Sequence, residues 1–370
     1  MAAAGRILTV NAGSSSLKLR LLGPGDELLA TRDAAPGGDL EALAEELLAM
    51  VEAGPAPDAV AHRVVHGGSE FDRATVLERG DEERLEQLAD LAPLHNPKAL
   101  RAIRAMEAIR PDLTNVACFD TSFHAGLPVA ARTYALPADW TDDGAPLRRY
   151  GFHGLSHAYA SRRAAELLGR PPEGLRLVTA HLGAGASLAA IVGGRSVDTT
   201  MGFTPLEGLV MATRAGSVDP GLLLWVQRHR DLDAAAMERA LDREAGLLGL
   251  AGTADLREII AAADRGEERA RVAFDVYVHR LGAEIAAMTA AMGGLDGLVF
   301  TAGVGENAPA VRERACAAVA FLGVELDPAA NARGTADSVL SPPGAAAATI
   351  LVAAREDVEM ARQARAALAG

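Results

Sequence analysis

The sequence predicts an α/β fold in two domains of similar build, and three observations carry the prediction. Apolar β-type runs alternate with amphipathic helical stretches along the chain. Small-residue turns follow such runs at Asn11–Ser16, His181–Ser187 and Gly303–Asn307. The chain has 370 residues, 49% hydrophobic and 23% charged, which is enough for two sizeable cores.

The first element, Ile7–Leu22, reads ILTVNAGSSSLKLRLL: two short strands around a turn of Asn, Gly and Ser, with Lys18 on the returning strand. Backbone N–H groups, hydroxyls and one ammonium suit a phosphate and its Mg²⁺; an ordinary hairpin with a polar tip fits the same residues. A second copy, Leu177–Val192 (LVTAHLGAGASLAAIV), sits about half a chain later. That separation is too long for a solenoid period and points to two halves of similar topology.

A net charge of −13 excludes a general nucleic-acid or anionic-membrane binder, which needs a basic face. An anionic ligand would need local cations, and Lys18, Arg63, Arg148, Arg149, Arg214 and Arg257 are the candidates. Cys118 and Cys316, far apart in apolar settings, are expected to be reduced buried thiols of a cytoplasmic protein. No secretory signal is expected before the first polar turn, and no stretch is apolar enough to span a bilayer.

Along the chain, Asp39–Ala53 has helical periodicity with Asp39 as N-cap. Ala59–Val65 reads as a strand that buries Arg63, a choice that demands an anion or a carboxylate partner. Helices are expected at Asp81–Leu91 and Pro97–Ile109, the second capped by Asn96. Asn115–Phe119 is a strand ending at Asp120, where ligands gather in open α/β sheets; an Asx-turn carboxylate is the alternative.

Leu147–His157 (LRRYGFHGLSH) reads as a polar catalytic loop more readily than a zinc site, because the HExxH glutamate and a third ligand are missing. Ser156 would cap a helix over Ala158–Leu168. Val197–Gly221, dense in Gly, Thr and Pro and carrying Arg214, reads as a functional loop ending in a helix start at Asp219-Pro220. Helices follow at Leu222–His229, Asp233–Glu244, Leu256–Asp264 and Glu268–Met292. Leu298–Asn307 is then strand, glycine turn and helix with Pro309 in its first turn, and Glu356 opens the last helix at a strand end.

Six segments in order, Asn11–Lys18, His62–Gly68, Phe119–His124, Arg149–His157, Asp198–Gly221 and Phe300–Asn307, resemble the signatures of the acetate kinase family over nearly the whole chain. The resemblance implies a duplicated ribonuclease-H-like fold of the actin/Hsp70/sugar kinase superfamily, with a central cleft. It divides the chain into 1–120 plus 357–370 and 121–356, and makes it a cytoplasmic homodimer joined through the C-terminal domain. The implied reaction is the reversible, direct in-line phosphorylation of acetate by ATP, with Mg²⁺ or Mn²⁺. Propionate kinase is the neighbouring reading, and an Hsp70- or actin-like ATPase the more distant one.

Carried over from the family, Asn11 and Glu356 would sit by the metal, and Ser14, Ser16 and Lys18 would line the phosphate hairpin. Arg63 and Arg214 would bind the carboxylate and the transferring phosphoryl group, with Asp120 positioning Arg214 or a metal-bound water. His95, His153 and His181 would approach the phosphoryl oxygens, and Gly183 and Gly185 the phosphates. Asp255, Leu256, Arg257, Gly303, Gly305 and Asn307 would form the adenosine pocket, and Val65, Leu94, Phe152 and Pro205 the apolar rim of the acetate site. The chain departs from the family's pattern at Ala184, where Asn is usual, at Ala354-Arg355, where Thr-Asn is usual, and in its short stretch between Leu22 and Ala59.

Overall fold

The computed structural model describes residues 5–13, 16–34, 40–52, 54–93, 95–140 and 147–370. It divides into two compact units, one made of Met1–Ala125, Phe152–Tyr159 and Arg355–Gly370, the other of Gly126–Gly151 and Ala160–Ala354. The first unit therefore extends past residue 120 and takes in Phe152–Tyr159, because Leu155 is buried with Val358, Met360 and Ala361.

The first unit is built on β1 (Ile7–Ala12), β2 (Leu17–Leu22), β3 (Leu28–Ala34), β4 (Ala59–Val64), β5 (Thr75–Val76) and β6 (Thr114–Phe119), in the order β3-β2-β1-β4-β6-β5. The hairpin expected at Ile7–Leu22 forms, with Asn11 opposite Lys18. β1, β4 and β6 run parallel, and β5 is antiparallel to β6.

Strand alternation decides what each face carries. Leu8, Val10 and Val60 pack with helices Leu40–Glu52 and Asn96–Ile109, while Ile7, Ala59, Ala61, Val116 and Cys118 pack with helix Glu356–Ala369. Stepping by two along the second face leads to Asn11, Arg63 and Asp120 at the carboxyl ends of the three parallel strands.

The second unit repeats the plan. Its strands are β7 (Arg176–Leu182), β8 (Ala186–Val192), β9 (Arg195–Thr199), β10 (Gly297–Thr301), β11 (Ser338–Val339) and β12 (Ala348–Leu351), ordered β11-β12-β10-β7-β8-β9. Again an antiparallel three-strand meander precedes two parallel strands and a two-residue antiparallel edge. The duplication inferred from two hairpins extends to every strand. Helices Leu256–Asp264 and Glu268–Met292 have the expected bounds, and the latter buries Phe274, Tyr277, Leu281 and Ile285.

Some local expectations change. Asn96 is the first residue of its helix and not the cap; its amide is taken by the His66 backbone, with Nδ2 donating to the carbonyl at 3.0 Å and Oδ1 accepting from the N–H at 3.1 Å. The helix expected at 158 starts at Gly154, so Ser156 lies inside it. The glycines after β10 are helical over Ala302–Asn307; Ala302, at φ +66°, makes the turn in their place. Asp39 lies outside the described residues.

No helix among the described residues is long and apolar enough to cross a membrane. Both cysteines are free and buried, and burial pushes their thiols up.

His62 and His124 are fully buried, and burial pushes each imidazole down to about 4 from 6.5. A lowered histidine pKa means that the unfolded chain binds more protons between those two values. Stability is therefore complete above pH ~6.5 and lost as pH falls toward 4, by ~3 kcal/mol per histidine. Denaturant titrations across this window should show the loss, with a shallower slope for His62→Gln.

Candidate active site

Asn11, Arg63, Asp120 and Glu356, separated by up to 345 residues in sequence, meet in the first unit. Arg63 grips Asp120 from two nitrogens: Nη2 is 2.6 Å from Oδ2, and Nε is 3.1 and 3.2 Å from the two carboxylate oxygens. Arg63 Nη1 donates to Asn11 Oδ1 at 3.2 Å and lies 3.7 Å from Glu356 Oε2. Asn11 Nδ2 closes the circuit on Glu356 Oε2 at 3.2 Å.

Burial opposes charge on Arg63, but the carboxylates of Asp120 and Glu356 outweigh it, so the guanidinium is held firmly charged. Burial pushes the Asp120 carboxyl up, Arg63 pulls against that, and the charge of Glu356 adds to the rise. Asp120 is only 1% exposed, so its carboxylate depends on Arg63.

Elsewhere in the first unit, Lys18 is exposed on β2 opposite Asn11, and Ser16 accepts Gly13 N–H through its carbonyl at 2.9 Å. His95 precedes helix Asn96–Ile109. His153 adopts φ +56° at the mouth of helix Gly154–Leu168, next to the buried Phe152. Val65 follows β4 and is half-buried. Ser14 and Leu94 lie outside the described residues.

In the second unit, His181 near the end of β7 is buried and pairs with Thr301 of β10 and Ser187 of β8. Gly183 N–H donates to Gly185 O at 3.0 Å, closing the hairpin turn with the exposed Ala184 at its tip. Ala184, one departure from the pattern that the sequence resembles, is thus at an exposed tip. Helix Ala302–Asn307 lies alongside: a Cβ at Gly183 would be 4.0 Å from that of Ala302, whereas one at Gly303 would meet nothing. Two of the three glycine elements thus adjoin at the carboxyl ends of neighbouring parallel strands, with open space above Gly303.

Asn307 Nδ2 donates to Gly303 O at 2.9 Å. Asp255 caps helix Leu256–Asp264, and its hydrogen bonds from Arg257 hold its carboxyl down at about 2. Leu256 is buried and the Arg257 side chain is exposed.

Arg214 is bound by Asp242, with Nε 2.7 Å from Oδ1, and within the first unit the Asp120 carboxylate is bound by Arg63. Thr213 Oγ1 also donates to the Asp242 carbonyl at 2.8 Å. Gly246, at φ +60°, lets this loop close: a Cβ there would stand 2.3 Å from Met211 O and 2.6 Å from Arg214 O. Pro205 lies in a loop held by Glu207, which accepts from Tyr134 and Arg149. Arg148, another candidate cation, lies over the Tyr150 ring at 4.9 Å.

Two residues escaped the sequence reading. Asp242 carried no motif. Arg312, fully buried, donates to the carbonyls of Gly305 and Glu306 at 2.8 and 2.9 Å and to Asn331 at 2.8 and 2.9 Å. A cation at the last carbonyls of Ala302–Asn307 explains why a glycine-rich stretch is helical here. Nothing in its sequence context marked it out.

The profile of the Acetokinase family matches residues 27–362. An acetate kinase of a Synechococcus strain is 44% identical over 390 residues, covering 95% of this chain and 96% of its own, and that of Streptomyces griseus is 44% identical over 392 residues, covering 97% and 95%. Among solved structures, Porphyromonas gingivalis acetate kinase aligns with TM-score 0.89 at 36% identity, covering 99% of this chain and all of its own. A propionate kinase from Francisella tularensis aligns with TM-score 0.88 at 32% identity, covering 97% and 98%. The two-sheet α/β architecture is that of these kinases, and the chain belongs to the acetokinase family.

Proposed function

We propose that this protein phosphorylates acetate with ATP, giving acetyl phosphate and ADP in a reversible, direct in-line transfer. The observation that carries the reading is the Asn11–Arg63–Asp120–Glu356 cluster at the ends of three parallel strands.

A carboxylate is already nucleophilic at neutral pH, so the site needs no strong base. It needs alignment and positive charge where two anions meet. Arg63, charged and fixed by Asp120, binds the acetate carboxylate, and the resemblance gives Val65, Leu94, Phe152 and Pro205 as the apolar rim for its methyl group. Arg214, aimed by Asp242, takes the transferring phosphoryl group, with His95, His153 and His181 donating to its oxygens. Lys18, Ser14, Ser16, Gly183 and Gly185 hold the phosphates, and Gly303, Gly305, Asn307 and Asp255–Arg257 the adenosine.

The amide and carboxylate oxygens of Asn11 and Glu356 are hard donors that fit Mg²⁺ or Mn²⁺. The ion would neutralise phosphate charge when bound. Two buried free thiols support a reducing cytoplasm.

The test is a hydroxylamine trap with ATP, Mg²⁺ and a series of short carboxylic acids. Acetohydroxamate should form only with ATP and acetate, and propionate should be the poorer acceptor. ATP hydrolysis without any hydroxamate would contradict the assignment.

We also propose a homodimer through the second unit. None of the residues of helix Pro220–Arg230 is buried, and Leu222, Leu224 and Trp225 are 50, 58 and 50% exposed. So large an apolar face supports burial against a second copy. Trp225→Glu with Leu224→Asp should shift the mass measured by light scattering from dimer to monomer; an unchanged mass would place the interface elsewhere.

A further inference from the structure

We propose that His124, to which nothing above gives a part in the reaction, is a positioning residue that sets acyl-chain selectivity by fixing Phe152 and His153. The inference rests on the reading of Phe152 as rim of the acetate site and deepens it.

His124 ends the short 3₁₀ turn Ser122–His124 that follows Asp120. Its side chain is fully buried, and Nε2 lies 3.1 Å from the carbonyl oxygen of Phe152. A carbonyl only accepts, so His124 carries its proton on Nε2 and donates it. Two residues further on, Gly154 N–H donates to Asp120 O at 2.9 Å. A Cβ at Gly154 would stand 2.2 Å from that oxygen, so the two segments touch at van der Waals limits.

Between these bonds sits His153 at φ +56°, a left-handed conformation that L side chains adopt only when their surroundings impose it. The Phe152–Gly154 segment is thus clamped at both ends onto the turn that carries Asp120, the partner of Arg63. The Phe152 ring is backed edge-on by His66, with centroids 5.4 Å apart at 66°. His66 is itself tied down, because its Nδ1 accepts Gly68 N–H at 2.9 Å.

A residue needed only to fill space would not require an N–H aimed at a carbonyl 28 positions away. The donor fixes the height of Phe152 and the strained turn at His153 together. Without it His153 relaxes toward negative φ, Phe152 shifts, and the limit on acyl length loosens.

The experiment compares His124→Leu with His124→Gln, whose amide nitrogen reaches the same carbonyl. His124→Leu should raise the acetate KM by up to ~10-fold, the worth of one hydrogen bond. It should also bring the acetate-to-propionate ratio of kcat/KM down ~10-fold, leaving the ATP KM within about 2-fold. His124→Gln should restore the ratio, a rescue that a purely structural role would not give.

Phe152→Ala separates the two levels of the argument. If Phe152→Ala leaves the acyl ratio unchanged, the rim reading fails and the inference with it. If Phe152→Ala changes the ratio while folded His124→Leu keeps the wild-type ratio, the inference alone is overturned. Should His124→Leu not fold, His124→Asn, whose amide falls short of the carbonyl, takes its place; equal ratios for Asn and Gln would also overturn it.

Discussion

Replacing Arg63 with alanine should lower kcat for acetyl phosphate formation by ~10²–10³, the usual loss when a well-aimed cationic donor is removed. Arg63 faces two carboxylates, Asp120 and Glu356, at 2.6 and 3.7 Å. The proposed reaction adds two more anions, acetate and the triphosphate, and the role proposed for the guanidinium is to let them approach. Without it Asp120 stays buried with no cation among its described partners, and burial pushes its carboxyl up further. The variant should therefore also melt earlier, and turnover must be read well below its Tm. Near-normal kcat in folded Arg63→Ala would refute the assigned role.

Arg214→Ala should cost at least ~10² in kcat for the same electrostatic reason. Here the aiming group can be separated from the acting one. Asp242 binds Arg214 through Nε, and the proposed role gives the Nη donors to a phosphoryl oxygen. Asp242→Asn keeps an acceptor at that position and should lose only ~10-fold, with the charge on Arg214 intact. Equal losses for Arg214→Ala and Asp242→Asn would mean that the pair is structural. Hydroxamate assays at saturating ATP and acetate measure both.

Part of the first-unit cluster was legible from the residues: Arg63 inside the strand expected at Ala59–Val65 demanded an anion or carboxylate partner, and Asp120 stood at a strand's carboxyl end, whereas the places of Asn11 and Glu356 came from the resemblance. In the structure, stepping by two along Ile7–Ala12 and Ala59–Val64 brings Asn11 and Arg63 to one face near the strand ends. The repeated hairpins gave the duplication: small residues between apolar runs mark a turn at any distance along the chain. Pairings across long separations left no such trace. Asp242 meets Arg214 only because a π-helical turn at 240–244 and the left-handed Gly246 bring it back, and no local periodicity encodes that return. The stretch after β10 misled because glycine normally breaks helices, at ~1 kcal/mol each. Arg312, a buried tertiary cap, offsets that cost here.

A double-mutant cycle on kcat with Arg63→Ala and Asp120→Ala tests the central claim most directly. If the two residues act as one charge constellation at the point of transfer, the double variant should be no more than about threefold slower than the worse single. Losses that multiply would show two independent contributions, and would contradict the account of Arg63 and Asp120 as a single device.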